Sequence, residues 1–222
     1  MTIDTSLVSG VIWDLDNTLY RFTDEFIQSC TKAAAQAAQE LGINLSYDDT
    51  LKLAERSEAE HGYSMHGYVT DHGFSYASLH FPFHDNIDET VIQPIEGVAA
   101  YLKKLSVPQV ILTNASRNWA HRALKHVKLD HLFDDNSIIP MEDVNFKPKA
   151  RTDRGFKLAA KKLDLPYEEV LMVDDLDRNL IFASQLGMQC IYMHHGDPME
   201  DLPDFIDDQF ENPIALVKHL LA

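Results

Sequence analysis

The chain has 222 residues, 45% hydrophobic and 24% charged, a composition that suits a soluble globular protein large enough to bury a proper core. A formal net charge of -16 and a pI near 4.9 leave no broad basic face to neutralise phosphates, which excludes a nucleic-acid polymer as partner. Its two cysteines, Cys30 and Cys190, stand far apart and without metal-ligand spacing, so neither a disulfide framework nor a structural zinc site is indicated.

The first residues, MTIDTSLVSGVIWDLDN, lack the basic and apolar regions of a signal peptide, and no apolar run approaches the roughly 20 residues of a membrane span. The expectation is a cytoplasmic protein without membrane contact, either monomer or homodimer.

Val8 to Trp13 is short, apolar and β-branched, as expected of a strand buried on both faces. Thr23 or Asp24 can cap a helix running to a stop at Gly42, and Ser46 can open a second one over DDTLKLAERSEAEH. The following HGYSMHGYVTDHGFSYASLHFPFHD mixes glycines, histidines and aromatics without a clean period and reads as helical fragments and loops. From Pro94 onward strands and helices alternate: helix IEGVAAYLKKL, strand QVILTN, helix RNWAHRALKHV, strand SIIP, helix TDRGFKLAAKKL, strand VLMVDD, helix DRNLIFASQLG, strand MQCIYM. The acidic GDPMEDLPDFIDDQFENP is expected to be a turn-rich connector before a last helix, PIALVKHLLA. This alternation predicts an α/β fold with a doubly wound, mainly parallel sheet. The strandless interval after the first strand predicts an inserted helical cap at residues 20–94, with the core at 1–19 and 95–222.

In open α/β sheets ligands bind outside the carboxyl ends of the strands, so the residues that end each apolar run are the informative ones. The strand that opens VIWDLDNTLY ends in Asp14 and Asp16, QVIL in Thr113 and Asn114, and VLMV in Asp174 and Asp175 with Asp177 just beyond; FKPKAR adds Lys147 and Lys149. Carboxylates, a hydroxyl and a lysine on one edge meet the needs of phosphoryl transfer, because Mg²⁺ takes a few carboxylates together with phosphate and water. Asp14 with Asp174 or Asp175 can supply those carboxylates, while the lysine and Thr113 or Asn114 hold phosphoryl oxygens. A turn at Leu15 lets Asp16 approach the same space from another side, so that one carboxylate attacks phosphorus and the other moves protons. Asp177 can equally be a turn or cap residue.

DLDNTL, the strand-ending LTN, a lysine in a KP-type segment and VLMVDD resemble, in that order, the four motifs of the haloacid dehalogenase-like hydrolases, over about Val11 to Met193. The resemblance implies a Rossmann-like core with a helical C1 cap inserted after the first motif. It also implies Mg²⁺ and hydrolysis of a phosphate monoester through an aspartyl-phosphate. Under it Asp14 is the nucleophile, and Asp16 is the acid/base and a metal ligand through its backbone carbonyl. Thr113 binds the phosphoryl group, and Asp174 and Asp175 are the metal-binding pair. The motif lysine is Lys147 if the segment is read as KP. It is Lys149, the preferred reading, if EDVNFKPKA is laid on the EDVxYxPKP form of some relatives, because the preceding acidic and aromatic residues then align as well. Ala150 then replaces a proline, and the TDRGF spacing is one residue long.

HGYSMHGYVTDHG resembles the YGTTLxGL-like stretch of pyrimidine 5'-nucleotidase relatives, with His61 and Tyr68 departing from the usual Tyr and Leu. That implies a nucleoside monophosphate, UMP or CMP, as substrate. His61, His66, His72, His80 and His84 crowd the cap; one or two of them contacting the leaving group is set against surface and loop placement for most. Phe22, Tyr63, Phe74, Phe81 and Phe83 can stack on a base or pack between cap helices. The alternatives are a phosphatase or mutase acting on another small ester, such as a sugar phosphate or pyridoxal phosphate, and a phosphoacceptor signalling module. In such a module the acidic pair comes on the first strand, whereas here it comes last. The second aspartate of the first motif argues against carbon–halogen chemistry.

Overall fold

The computed structural model describes residues 3–222. Six parallel strands form the main sheet: β1 (Gly10–Trp13), β4 (Gln109–Leu112), β5 (Ile138–Ile139), β6 (Val170–Asp174), β7 (Gln189–Met193) and β8 (Asp208–Phe210). Their order across the sheet is β5-β4-β1-β6-β7-β8, the doubly wound arrangement. The chain leaves β1 toward one edge and then returns to β1's other side, so the winding reverses between β1 and β6. A crevice opens there at the carboxyl ends of the strands.

Strand alternation sorts the core into two faces. Val11, Trp13, Ile111 and Val173 face one layer, where α6 (Arg117–His126) and α9 (Pro213–Leu220) contribute Trp119, Ala120, Leu216 and Val217. Ile12, Leu112 and Met172 face the other, covered by Phe156 and Ala159 of α7 (Arg154–Leu163) and Leu180 and Ala183 of α8 (Asp177–Gln185). Gly155 matters at this second face, because a Cβ there would lie 2.7 Å from Leu112 Cδ1.

Four helices follow β1: α1 (Asp24–Glu40), α2 (Tyr47–His61), α3 (His66–Thr70) and α4 (Tyr76–Asn86). Thr23 caps α1 by accepting from Phe26 N–H, and Ser46 caps α2. The buried alanines of α1, Ala33, Ala34, Ala35, Ala37 and Ala38, let α2 and α4 approach closely.

The structure corrects three expectations and sharpens a fourth. The interval after β1 does hold strand, since β2 (Tyr20–Arg21) pairs antiparallel with β3 (Gln93–Pro94) where the chain leaves and re-enters the core. Two residues are too short to register as periodicity. The segment read as fragments contains α4, set by a capping box between Ser75 and Ser78 and continuing through Pro82. The acidic connector contains β8, an edge strand of half-buried residues whose Gln209 side chain bonds both backbone groups of Met199; it carries no apolar run to reveal it. The helix after Pro94 is only α5 (Val98–Leu102).

Candidate active site

Asp14 follows β1 and still joins its ladder, donating its N–H to Val173 O (2.8 Å). The chain then turns tightly. Leu19 N–H bonds back to Leu15 O, and Asn17 takes a left-handed conformation (φ 56°) that an asparagine tolerates. Thr18 comes back beneath the strand end, its hydroxyl donating to Asp14 Oδ2 (3.0 Å).

β6 delivers Asp174 beside Asp14 across the reversal point, and Lys149 reaches in between them. Its ammonium bonds Asp14 Oδ1 and lies 2.5 Å from Asp174 Oδ2. Asp14, Lys149 and Asp174 are 4%, 3% and 0% exposed, so this ion cluster is closed to bulk water. Asp174 Oδ1 is also fixed, accepting from Leu176 N–H (3.0 Å) and Asn179 Nδ2 (2.9 Å). Asp175 Oδ2 accepts from Asn17 Nδ2 (2.8 Å), which ties the two strand-end loops together. Behind Asn17, the His195 ring contacts its carbonyl from the loop after β7.

Burial pushes the Asp14 carboxyl up to about 8, with Lys149 opposing and Asp174 and Asp16 adding to the push. Burial likewise raises Asp175, reinforced by the charges of Asp14 and Asp174. The Lys149 ammonium is held charged: desolvation works against it, but two carboxylates outweigh that. Two buried carboxylates on one ammonium, with the half-buried Asp175 beside them, leave negative charge crowded where little water can relieve it. One oxygen from each of Asp14, Asp174 and Asp175 lies within 4.8 Å of the others. This all-oxygen, anionic donor set fits a hard divalent cation such as Mg²⁺.

Asp16 stands apart from that set. Its Oδ1 accepts from the Tyr20 hydroxyl and from Trp119 Nε1 (2.7 Å), and its Oδ2 from Thr113 Oγ1 (3.1 Å). Its carboxylate is therefore no member of the three-carboxylate cluster, and a metal contact would have to come from its backbone carbonyl. Thr113 follows β4, and its oxygen also accepts from Ala115 N–H (2.9 Å).

Of the two candidate lysines, the structure brings Lys149 to the carboxylates, and Asn114 helps to hold it there. Asn114 Oδ1 accepts the Lys149 backbone N–H (2.9 Å), pinning that residue's short 3-10 turn against the strand ends. Lys147 is exposed and makes no ion pair among the described residues; the structure does not bring it to the carboxylates. Asn114 itself acts on the lysine loop in this structure. Asp177 opens α8 and accepts from Arg178 N–H, as a turn residue would.

In the cap, His61 and His72 are exposed, and His61 stacks on His66 (3.9 Å between centroids) beside a depression lined by cap residues alone. His80 and His84 are buried, His80 bonding Glu142 of the core (3.0 Å) and His84 Nδ1 bonding His80 O (2.6 Å). Tyr63 packs on Tyr76 and Phe81 on Phe146, whereas Phe22 sits at 36% exposure against Phe26, which in turn meets Trp119. Sequence reasoning missed Asn17, Thr18, Tyr20, Trp119, Asn179 and His195 as neighbours of the site. Of these, only Asn17, Thr18 and Tyr20 lie inside a stretch that drew attention.

A model of the haloacid dehalogenase-like hydrolases matches residues 8–187. The 6-phosphogluconate phosphatase of Escherichia coli (strain K12) is 22% identical over 197 residues, covering 84% of this chain and 83% of that protein. Among solved structures, CbbY from Rhodobacter sphaeroides in complex with phosphate superposes with a TM-score of 0.67 at 16% identity, covering 94% of this chain and 96% of that one. A HAD phosphatase from Thermococcus onnurineus gives 0.64 at 18% identity, covering 96% and 98%. At these identities the solved structures speak for the fold.

Proposed function

The chain belongs to the haloacid dehalogenase-like hydrolase family, and from that premise we propose that it is a Mg²⁺-dependent phosphatase of small phosphate monoesters. The observation that carries this reading is the buried Lys149 ammonium set between Asp14 and Asp174 at the point where the sheet's winding reverses. A buried ion cluster of this kind adds little to stability compared with apolar packing, so its presence favours chemistry.

Asp14 is the nucleophile. Its carboxylate oxygen attacks phosphorus, the ester P–O bond breaks, and the electron pair leaves with the alcohol oxygen, which takes a proton from Asp16. A water then gives a proton to Asp16 and attacks the aspartyl-phosphate, returning the carboxylate to Asp14 and releasing phosphate. Lys149 and Thr113 hold the phosphoryl oxygens as charge develops on them. Asp14, Asp174 and Asp175, with the Asp16 carbonyl, would hold Mg²⁺. That ion supplies charge neutralisation for the phosphoryl group and for the crowded carboxylates.

We take residues 20–94 as the cap, with 1–19 and 95–222 as the core, and the cap as the part that chooses the alcohol. The likeness of HGYSMHGYVTDHG to a nucleotidase stretch, with Phe22 as the exposed end of an aromatic run through Phe26 to Trp119, favours a nucleoside monophosphate, UMP or CMP. A sugar phosphate is the second reading, favoured by the likeness to a 6-phosphogluconate phosphatase.

The test is phosphate release from nucleoside monophosphates, sugar phosphates and pyridoxal phosphate with Mg²⁺ present. Activity should vanish with EDTA and return with Mg²⁺, and UMP or CMP should lead. Chelator-insensitive turnover would remove the metal assignment, and a sugar phosphate in the lead would replace the nucleotide reading.

A further inference from the structure

Asp16 carries the proton in the reading above, and its two oxygens have unlike surroundings. A carboxylate oxygen offers two lone pairs in its plane. Both acceptor positions of Oδ1 are taken, one by the Tyr20 hydroxyl from β2 and one by Trp119 Nε1 from the first turn of α6. Tyr20 and Trp119 are 0% and 1% exposed, so neither donor can turn to water instead. Ser116 caps α6 by accepting from Trp119 N–H (3.2 Å), which fixes the start of the turn that aims the indole.

Among the described residues Oδ2 has a single partner, the Thr113 hydroxyl, at 3.1 Å. That hydroxyl has one proton, and its oxygen already accepts from Ala115 N–H. It can donate to Asp16 or to a phosphoryl oxygen, but not to both.

We propose that Tyr20 and Trp119 are positioning residues that clamp Oδ1 of Asp16, leaving Oδ2 as the oxygen that gives and takes the proton, and that Thr113 frees Oδ2 when its hydroxyl turns to the phosphoryl group. The inference rests on the acid/base role assigned to Asp16. It adds which atom works and which two side chains hold it. In the first half-reaction the Oδ2–H bond breaks as the proton passes to the departing alcohol oxygen. In the second a water O–H breaks, the proton returns to Oδ2, and the hydroxyl oxygen bonds to phosphorus. Oδ1 keeps both hydrogen bonds throughout, so the carboxyl plane does not swing between the two steps.

The experiment compares kcat/KM for two esters in wild type, Tyr20→Phe, Trp119→Phe and Asp16→Asn. The value kcat/KM reads the steps up to the first irreversible one, transfer of the phosphoryl group to Asp14. Glycerol 2-phosphate has an alcohol that departs only with a proton, whereas p-nitrophenolate departs as the anion. Asp16→Asn should lose about 10²–10⁴-fold on glycerol 2-phosphate, and each clamp variant about 10-fold, while p-nitrophenyl phosphate stays within about 3-fold for the clamp variants. Tyr20→Phe removes one oxygen atom and keeps the ring, so it serves should Trp119→Phe disturb the fold, which near-ultraviolet circular dichroism would report.

Equal losses on both esters in the clamp variants would mean a purely structural role and overturn the proposal, as would no loss on either. If those variants lack the split while Asp16→Asn shows it, the clamp alone is wrong. If Asp16→Asn also lacks it, the acid assignment falls and takes the clamp with it.

Discussion

The strand ends and the cap both bury polar groups, but of different kinds. Between β1 and β6, charged side chains share a space shut off from water, and their bonds run between residues far apart in the chain, such as Asp14 to Lys149 and Lys149 to Asp174. In the cap, several of the buried polar groups are hydroxyls and imidazoles satisfied by nearby backbone: Thr50 on Ser46 O, Ser57 on Leu53 O, Tyr68 on Thr50 O, His84 on His80 O. Local satisfaction of that sort completes a helix bundle. Buried charge assembled from separate strands costs desolvation that packing alone would avoid, and so points to chemistry.

The largest effect that this contrast predicts is for Asp14→Asn. Turnover should fall on the order of 10⁴–10⁶-fold, the scale for loss of a nucleophile. The urea midpoint should stay at or above that of wild type, because Lys149 keeps Asp174 as its partner and one crowded carboxylate is gone. Phosphate-release assays beside urea melts check both halves. Near-normal hydrolysis would remove the mechanism, and an unfolded variant would mean that the cluster supports the fold after all.

A smaller loss is expected at the lysine. Lys149→Ala should lower kcat on the order of 10²–10³-fold, since an electrostatic donor disappears and Asp14 and Asp174 are left facing each other. Lys147→Ala, on an exposed side chain, should stay within about 2-fold. Steady-state kinetics on the pair decides, and a reversed order would put Lys147 back at the phosphoryl group.

The two lysines also show where sequence reading stops. The strand ends were legible because apolar runs of β-branched residues end abruptly in Asp14, Thr113 and Asp174, and a parallel sheet must bring such ends to one edge. Which ammonium turns inward was legible only as a preference for Lys149, since part of what holds that loop is Asn114 Oδ1 accepting from Lys149 N–H across 35 positions. Tyr20 and Trp119 are core aromatics by burial; only the hydroxyl and the indole N–H set them apart, through Asp16. His195 meets Asn17 across 178 positions, and β8 joins the sheet without an apolar run. In the cap, α4 stayed hidden because Pro82 and its histidines mask a helix that the Ser75 box starts.

The smallest predicted effect lies in the cap and is one of acid stability. Burial first, then the charge of His80 and that of Arg122, pull His84 down to about 3, against the opposing pull of its backbone bond and of Glu142. In the unfolded chain it titrates near its ordinary 6.5. Between those values the unfolded chain binds a proton that the native state refuses, so the stability this group permits is whole above about pH 6.5 and drains as pH falls toward 3. By pH 5 the difference reaches at most about 2 kcal/mol. His84→Gln keeps a donor for His80 O and cannot titrate, so urea melts at pH 7 and pH 5 should show wild type losing about that much more than the variant. Parallel losses would mean that His84 carries no share of the acid response, and that the cap's contacts to the core through Glu142 and Arg122 carry it instead.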